Sequence, residues 1–582
     1  MPAKQKAATP TAANAAEPPQ CDIHDEVESW EIEGIRQNVC VNDLPPTEHA
    51  DGKHYCLFHL PSRDKDSEKF EEIFRARLDS VNQKAAGTEK LPEDKREAAK
   101  DRVSYDFRYV WFPSAVSLSG YDFQVTANFR SATFSSFADF ISAKFSSRAN
   151  FSSATFSTNA DFRLATFSSD ADFSSATFSS FAEFSSAAFS SFAEFSSATF
   201  SSFANFSSAT FSSDANFSSA TFSSFAEFSS AKFSSRANFR SATFSFNTYF
   251  SSAAFSSFAE FSSATFSSNA DFSSATFYSD AYFISAKFPE TSQIFFRETK
   301  FRAPVDFEYA VFAGYIAFAG GRGENVFLDD RGRNRETVLN LQNARLEKPE
   351  RISFHRVRLR PGWFVNVDSR KMVFTDIRWD NLDADSDNSN IAAEIESLGK
   401  RRIDEPSGLL EIACRQLGVN AEENNRYEEA SRFRYMAMET KRLEYPWQGR
   451  FWTLNWWYRF SSGYGESWKR AALVLLGVLL VFGLLYAAPV SIFDYGAKDG
   501  RTVNLNWNAA GVLTCGEMEN SGVSRSMSVC EGLVHSLYVA ALQRPEPKAA
   551  DTRTRLFIIL ETIFAPLQAA LLALAIRRKF MR

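Results

Sequence analysis

The sequence predicts a mainly β protein: a four-sided β-helix, then a helical hairpin, then two C-terminal membrane-spanning helices. Three observations carry this. Phe accounts for 61 of the 582 residues, against 10 Trp, 17 Tyr and 7 Met, so one side chain is being reused at one kind of site. From Phe107 to Phe288 the Phe recur at steps that alternate between five and six residues, with Leu118 holding one place in the register. Near the C-terminal end, Ala471–Ala488 is an uncharged apolar run, and a second long apolar run covers Leu556–Ile576.

Composition sets outer bounds. The length leaves room for several domains. A formal net charge of −6 is too near balance for a dedicated nucleic-acid binder, which usually carries a basic stripe, so no nucleic-acid partner is expected. Six Cys in this length make no disulfide framework. Residues 1–20, MPAKQKAATPTAANAAEPPQ, contain no apolar run and read as a disordered tail rather than a signal peptide.

Residues 21–104 form a Cys/His-containing cap with helices. Cys21 and His24 make one short chelating pair, Cys56 and His59 another, and Cys40 lies between them. Thiolate and imidazole at these spacings suit a tetrahedral structural zinc, with Cys21, Cys40, Cys56 and His59 the preferred set. His49 and His54 lie in a polar loop and are weaker candidates. The alternative is a small cluster of reduced cysteines with solvent-facing histidines. The module, with a helix around Ser67–Val81, is expected to cap the open end of the coil.

The repeat follows, strictly over Phe107–Phe288 and within a domain of 105–320. A period this regular overrides any local assignment. Ala precedes nearly every Phe by two residues, as in Ala132/Phe134 and Ala138/Phe140. In an extended A-x-F segment, Ala and Phe point to one side and the residue between them to the other. That middle residue is almost always Thr, Asp, Asn, Glu or Lys, so Ala and Phe face inward. Phe134, Phe140, Phe145, Phe151, Phe156 and Phe162 typify the core. The Ser-Ser pairs then occupy the corners, where hydroxyls can bond local backbone. Four sides of 5, 6, 5 and 6 residues close a square coil. Stacked roughly 4.8 Å apart, about eight strict coils make a rod of about 40 Å. Such a rod gains stability by stacking.

The string FSSATFSSFAEF resembles the pentapeptide-repeat family in its Phe-centred variant. The resemblance implies a right-handed quadrilateral β-helix. A looser continuation runs through Phe296, Phe301, Phe307, Phe312 and Phe318. After an insertion, Phe354, Leu359, Phe364, Phe374 and Trp379 suggest further degenerate coils within 321–380. Residues 22 apart should lie above one another. Arg148 is therefore expected beside Asp170 and Asp214 beside Arg236, while Asp139, Asp161 and Glu183 stack as like charges. Acidic and basic residues nearly cancel along the rod, which argues against a DNA mimic.

Residues 381–460 open with an acidic linker, NLDADSDNSN, and then read as helices over Leu409–Leu417 and Ala421–Leu443. Ala430, Phe433, Met436 and Met438 supply an apolar face near helical spacing. An aromatic-basic stretch leads into the membrane module, 461–582, and suits a membrane interface. Ala471–Ala488 and Leu556–Ile576 are the spans. Basic residues precede the first and follow the second, which predicts both termini and the β-helix in the cytoplasm and the spans in the inner membrane. Cys515 and Cys530 then fall in the outer loop, where a disulfide between them fits the compartment.

Between the spans, VCEGLVHSLYVAALQRPEP reads as a short apolar helix entering a Pro-containing loop. Span, short helix, loop, span is the order of a two-helix potassium-channel pore. SGYGESWKRA, EGLVHSLYVAAL and PLQAALLALAIRRKFMR resemble the channel-like module of some bacterial pentapeptide-repeat proteins. The filter position departs from that pattern: Gln543, Arg544, Pro545 and Glu546 stand where a filter needs a run of inward carbonyls, and Arg544 opposes a cation. Gly463-Tyr464-Gly465 lies before the first span and reads as a juxtamembrane turn. Glu561 is the intramembrane candidate, read either as functional or as an interfacial, helix-paired carboxylate.

No catalytic constellation stands out among six His and many corner Ser, so no enzyme is expected. The leading functional expectation is a membrane-anchored, oligomerising scaffold that contacts lipid and presents the β-helix to a protein partner. A subunit or regulator of a non-potassium pore comes second. A gyrase-interacting DNA mimic comes last.

Overall fold

The computed structural model describes residues 31–32, 35–36, 47–100, 102–321, 326–327, 339–382, 389–400, 404–444, 453–494, 501–507, 513–519, 527, 529–543 and 548–580. The chain divides into two compact units, Met1–Asp380 and Asn381–Arg582.

The first unit is the β-helix. Short strands pair in parallel at a register of 22: Thr133 with Thr155 on one side, then Ala138 with Ala160, Lys144 with Thr166, and Ala149 with Ala171. The four sides are four parallel sheets of 11, 12, 9 and 11 strands. Ala and Phe face inward as the alternation requires. Phe134, Phe140, Phe145, Phe151, Phe156 and Phe162 are all buried. Each ring lies parallel to the one a coil above: Phe134–Phe156 centroids are 4.8 Å apart and Phe145–Phe167 4.7 Å. Rings on neighbouring sides also meet edge to face, as Phe156 and Phe162 do at 5.9 Å and 83°, and so do rings on opposite sides, as Phe162 and Phe173 do at 5.4 Å and 87°. Parallel-displaced and T-shaped contacts are the two arrangements the ring quadrupole favours, each worth about 0.5–1.5 kcal/mol beyond burial.

The corners correct one detail of the sequence reading. Every second corner is a turn closed by a bond such as Ala154 N–H to Phe151 O at 3.0 Å, with Ser153 at φ +57°. The left-handed position recurs from Ser131 to Ser285. Serine hydroxyls were expected on local backbone, yet Asn150 Oδ1 accepts both the Ser152 N–H, at 2.9 Å, and the Ser152 hydroxyl, at 2.7 Å. A short amide or carboxylate at the strand end closes an Asx turn, which leaves the hydroxyl to the same oxygen.

The charge columns need a second correction. Arg148 pairs with Asp172, at 3.6 Å, rather than with Asp170, which accepts from Ser191 Oγ at 2.5 Å. Asp214 does lie beside Arg236 as expected, but accepts the Arg236 backbone N–H, at 3.1 Å, together with the Ser235 hydroxyl. These aspartates sit at corners, where a serine of the next coil lies closer than a guanidinium. The acidic ladder does form: Asp139 pairs in register with Asp161 and Asp161 with Glu183. Arg163 relieves it by an ion pair to Asp161 at 2.7 Å.

A two-residue insertion changes the register to 24 at Ala270–Ile294. The coil then continues, with Phe318 pairing Phe354, Phe354 pairing Phe374, and Leu359 pairing Trp379. At the other end, helix α1 (Ser67–Glu89) starts at Asp66, whose carboxylate accepts the Lys69 N–H at 2.9 Å. It runs two turns beyond the sequence estimate, and a short helix α2 (Glu93–Lys100) follows. Phe70 meets Phe112 at 5.5 Å and Phe74 meets Phe107 at 4.9 Å, so α1 covers the first coil's rings.

The second unit is helical: α3 (Ser389–Lys400), α4 (Pro406–Glu423), α5 (Tyr427–Leu443), α6 (Leu454–Ser462), α7 (Trp468–Ala487), α8 (Val529–Ala540) and α9 (Thr552–Phe580). Helix α3 begins inside the stretch read as a linker. Helices α4 and α5 form the hairpin, burying Leu410, Ala413, Cys414 and Leu417 against Ala430, Phe433, Met436 and Ala437. Ala437 takes the buried place that the sequence reading gave to Met438, which is half-buried. The break falls at Asn425, φ +59°, later than the sequence boundary. Asn is among the few residues that enter this region cheaply.

Trp468–Ala487 and Thr552–Arg578 are each long and apolar enough to cross a membrane, with mean hydropathy 2.3 and 2.0. Pro566 lies within α9 without ending it. The loop between the spans holds an antiparallel hairpin, Arg501–Trp507 with Leu513–Glu519, which the sequence reading left as plain loop.

Candidate functional site

Helices α7, α8 and α9 converge on Glu561. Its carboxylate is fully buried. Tyr486, near the end of α7, donates its hydroxyl to Oε2 at 2.5 Å, and Ser536 of α8 donates to Oε1. Ser536 Oγ also lies 3.1 Å from the Leu479 carbonyl. Helix α8 approaches α7 this closely because glycines meet: a Cβ on Gly532 would clash with the Gly483 carbonyl. His535 is buried edge-on to Tyr486 and Phe493, with ring centroids at 4.9 and 5.0 Å. Glu561 of α9 thus accepts from one side chain of α7 and one of α8.

A second polar knot lies at the start of the first span. Gly463, Tyr464 and Gly465 have φ of +57°, +61° and +76°, forming the turn expected there. Tyr464 is buried and donates to Glu439 of α5 at 2.8 Å. Glu439 also pairs with Arg442, at 2.5 Å, and with Arg459 of α6, at 3.3 Å. Burial, then the adjacent Glu439 carboxylate, raises the Tyr464 phenol well above its ordinary range. One residue past the turn, Glu466 receives Arg434 of α5 and Arg578 of α9, both at 2.9 Å, and Ser431 at 2.5 Å. Gln568 of α9 donates to the carbonyls of Ser461 and Ala471 at 2.7 and 3.0 Å. The hairpin and both spans are thereby tied together. Sequence reasoning missed this knot because its members are scattered over 150 positions; only the isolated acid inside SGYGESWKR hinted at it.

In the cap, Cys56 Sγ lies 3.2 Å from His59 Nδ1, and His59 Nε2 lies 3.2 Å from the Arg108 carbonyl. Both side chains are buried. A carbonyl on the second nitrogen is the outer partner a metal-bound imidazole ordinarily has, so this pair fits half of a zinc site. Cys21, His24 and Cys40 lie outside the described residues, and no cluster of three or more His, Cys, Asp or Glu suited to a metal occurs among the described residues. Lys65 beside them donates to the carbonyls of Leu57, at 2.8 Å, Phe58, at 3.2 Å, and Trp111. Burial lowers its ammonium to about 7, against the opposing pull of Cys56.

At the filter position, Gln543 is exposed after a left-handed Leu542 (φ +58°), and its N–H bonds the Tyr538 carbonyl at 2.9 Å. Arg544, Pro545 and Glu546 lie outside the described residues. Cys530 is disulfide-bonded; the side chain of Cys515, on the hairpin strand, lies outside the description.

The rod's outer surface carries a feature absent from the sequence reading. Phe137, Phe181 and Phe225 are exposed, and Phe203 is half-exposed in the same column. Phe181 and Phe203 meet edge to face at 6.2 Å, and Phe225 meets Phe246 at 4.7 Å. The signal was present: each immediately precedes an inward Ala, so alternation sends it outward. This column runs beside the Asp139–Asp161–Glu183 ladder.

Stacked parallel sheets around an aromatic core define a four-sided β-solenoid. Residues 129–177 match the family model for pentapeptide repeats, in nine copies. The solenoid is thus built of pentapeptide repeats, in Phe-rich form, and the same chain carries two apolar helices of membrane-spanning length. Neither a curated protein nor a solved structure matches the chain.

Proposed function

We propose that this protein is a membrane-anchored scaffold whose β-helix presents a recognition face to a protein partner. The observation that supports it is the column of exposed Phe137, Phe181 and Phe225 with half-exposed Phe203, beside an acidic ladder on a rigid rod. Aromatic rings flanked by carboxylates suit a partner surface with apolar and basic side chains. In this reading the spans lie in the inner membrane, with both termini and the rod in the cytoplasm, and they self-associate. A structural zinc at Cys56 and His59, completed from Cys21, His24 and Cys40, would fix the cap.

The pore reading has less support. Both oxygens of Glu561 are engaged by Tyr486 and Ser536 within one chain, which favours packing over an ion path. The DNA-mimic reading has less still, given the mixed charge of the rod. The scaffold is tested in intact membranes with a photocrosslinker at Phe181. A discrete adduct that disappears in Phe203→Ser/Phe225→Ser supports it; no adduct at Phe181, with adducts equally spread over the other sides, rejects it.

A further inference from the structure

The membrane unit has a cleft of about 810 Å³ between α6, α7 and α9. We propose that it binds an anionic phospholipid, with the headgroup phosphate on Arg470 and one acyl chain along α7. The inference rests on the membrane placement proposed above.

The wall of the cleft is one stripe of α7. From Arg470 it descends through Leu473 and Gly477 to Val481, the spacing of a single helix face. Eleven residues at 1.5 Å each give a track of roughly 16 Å, about the hydrocarbon depth of one leaflet. Leu473 and Val481 are 68% and 56% exposed, and Phe564 of α9 is 51% exposed across from them. The floor is open at Gly477, where an added Cβ would meet nothing within 4 Å.

Charge gathers at one end only. Arg459 and Arg470 border the cleft at the first turn of α7, beside Trp456 and Phe460 of α6. Arg459 is partly neutralised by Glu439. Arg470 is exposed, and its guanidinium makes one long bond, Nη1 to the Arg459 carbonyl at 3.4 Å. Guanidinium presents a planar fork that matches phosphate oxygens. Aromatic and basic residues at the rim with an uncharged apolar track below reproduce the division of a phospholipid into headgroup and chain. Lys469, exposed on the same first turn of α7, adds a further positive charge nearby, which favours an anionic headgroup over a zwitterionic one.

The test uses the full-length chain extracted from vesicles of phosphatidylcholine and phosphatidylglycerol, with retained lipid read by native mass spectrometry. Wild type is expected to retain phosphatidylglycerol. Arg470→Gln and Gly477→Phe should each lower that retention about tenfold, while the chain still resists alkaline extraction from the vesicles. Equal retention by all three proteins, or equal retention of phosphatidylcholine, overturns the site. So does displacement by an equal concentration of inorganic phosphate, which would leave the acyl track unused. Retention of no lipid by a wild-type oligomer that dissociates on Gly477→Phe also overturns it, by assigning the cleft to a second copy. Alkaline release of wild type removes the membrane placement itself, a separate failure.

Discussion

Tyr464 donates its hydroxyl to Glu439 at 2.8 Å, from a turn that precedes the first apolar helix to a carboxylate on the hairpin. The same carboxylate receives Arg442 and Arg459, so a single buried acid serves three donors. Tyr464→Phe should cost about 1.5–3 kcal/mol, the worth of a hydrogen bond to a charged group. Glu439→Gln should cost more, about 3–5 kcal/mol, because two guanidinium groups lose their counter-charge. Hydrogen exchange on the full-length protein is the check: amides of 427–443 and 454–470 should lose protection in that order of severity, with the β-helix unchanged. Equal protection in wild type and Glu439→Gln would show the knot to be ornamental.

The 61 Phe fall into classes that mutation should separate. Phe195 stacks on Phe173 and Phe217, at 4.9 and 4.8 Å, in the middle of the rod. Phe195→Ala should cost about 3–5 kcal/mol, as large-to-small changes in closed cores do. Phe181, 47% exposed, should change stability by less than about 0.5 kcal/mol as Phe181→Ser while weakening the partner adduct. Denaturant unfolding followed by far-UV circular dichroism distinguishes them.

The repeat was legible because a strict period fixes register, and register fixes which atoms meet. Phe134 over Phe156 follows from spacing alone. Side-chain partners were less legible: Arg148 reaches Asp172 rather than Asp170 because corner geometry, not column membership, sets guanidinium reach. The outer column of Phe181 and Phe225 could have been read from alternation, but the inward rings supplied a sufficient reason for so many Phe. In the membrane unit, apolar runs marked α7 and α9 and left their partners open. Nothing in the spacing of Tyr486, Ser536 and Glu561 announces that they meet, since 75 residues separate the first from the last.

The ladder of Asp161 and Glu183 should leave a pH signature. Burial, followed by the Asp161 charge, raises the Glu183 carboxyl above its ordinary value, although the Asn205 amide at 2.9 Å opposes this. A native acid with a raised pKa holds more protons than the unfolded chain between the ordinary and the raised value. Stability contributed by the neutral form is therefore present at low pH and lost as pH rises through that window. Glu183→Gln should remove this dependence and stabilise the rod at neutral pH by about 0.2–1 kcal/mol, the scale of a like-charge cross-strand pair. Unfolding midpoints at pH 4, 5 and 7 on both proteins would show it; an unaltered slope would contradict it.

Metal analysis tests the cap. Full-length protein purified without chelator should carry zinc, and Cys56→Ser should lose it together with protection of Ser67–Glu89 against exchange. Because His59 keeps its Arg108 carbonyl in that variant, the loss would report the thiolate rather than a displaced imidazole. Zinc absent from wild type would leave Cys56 and His59 as a buried polar pair.

Glu561 offers the sharpest division between packing and conduction. Its two oxygens take hydroxyl protons from Tyr486 and Ser536, so Glu561→Leu removes the acceptor from both donors. Ser536 keeps the Leu479 carbonyl at 3.1 Å, and the main penalty falls on Tyr486. Removing that donor as well should recover most of the loss, because replacing both partners of a buried hydrogen bond is far milder than replacing one. Thermal unfolding in detergent should therefore show Glu561→Leu destabilised by about 1–3 kcal/mol and Glu561→Leu/Tyr486→Phe restored toward wild type. Glu561→Gln keeps one acceptor and should cost about 0.6 kcal/mol, the usual scale for a hydrogen bond between membrane helices. In bilayers the verified oligomer should give the same electrical record before and after Glu561→Gln. A current that changes with that single oxygen-to-nitrogen exchange, while the double variant shows no coupling, would move Glu561 from the helix junction to an ion path and turn the scaffold reading into the pore reading.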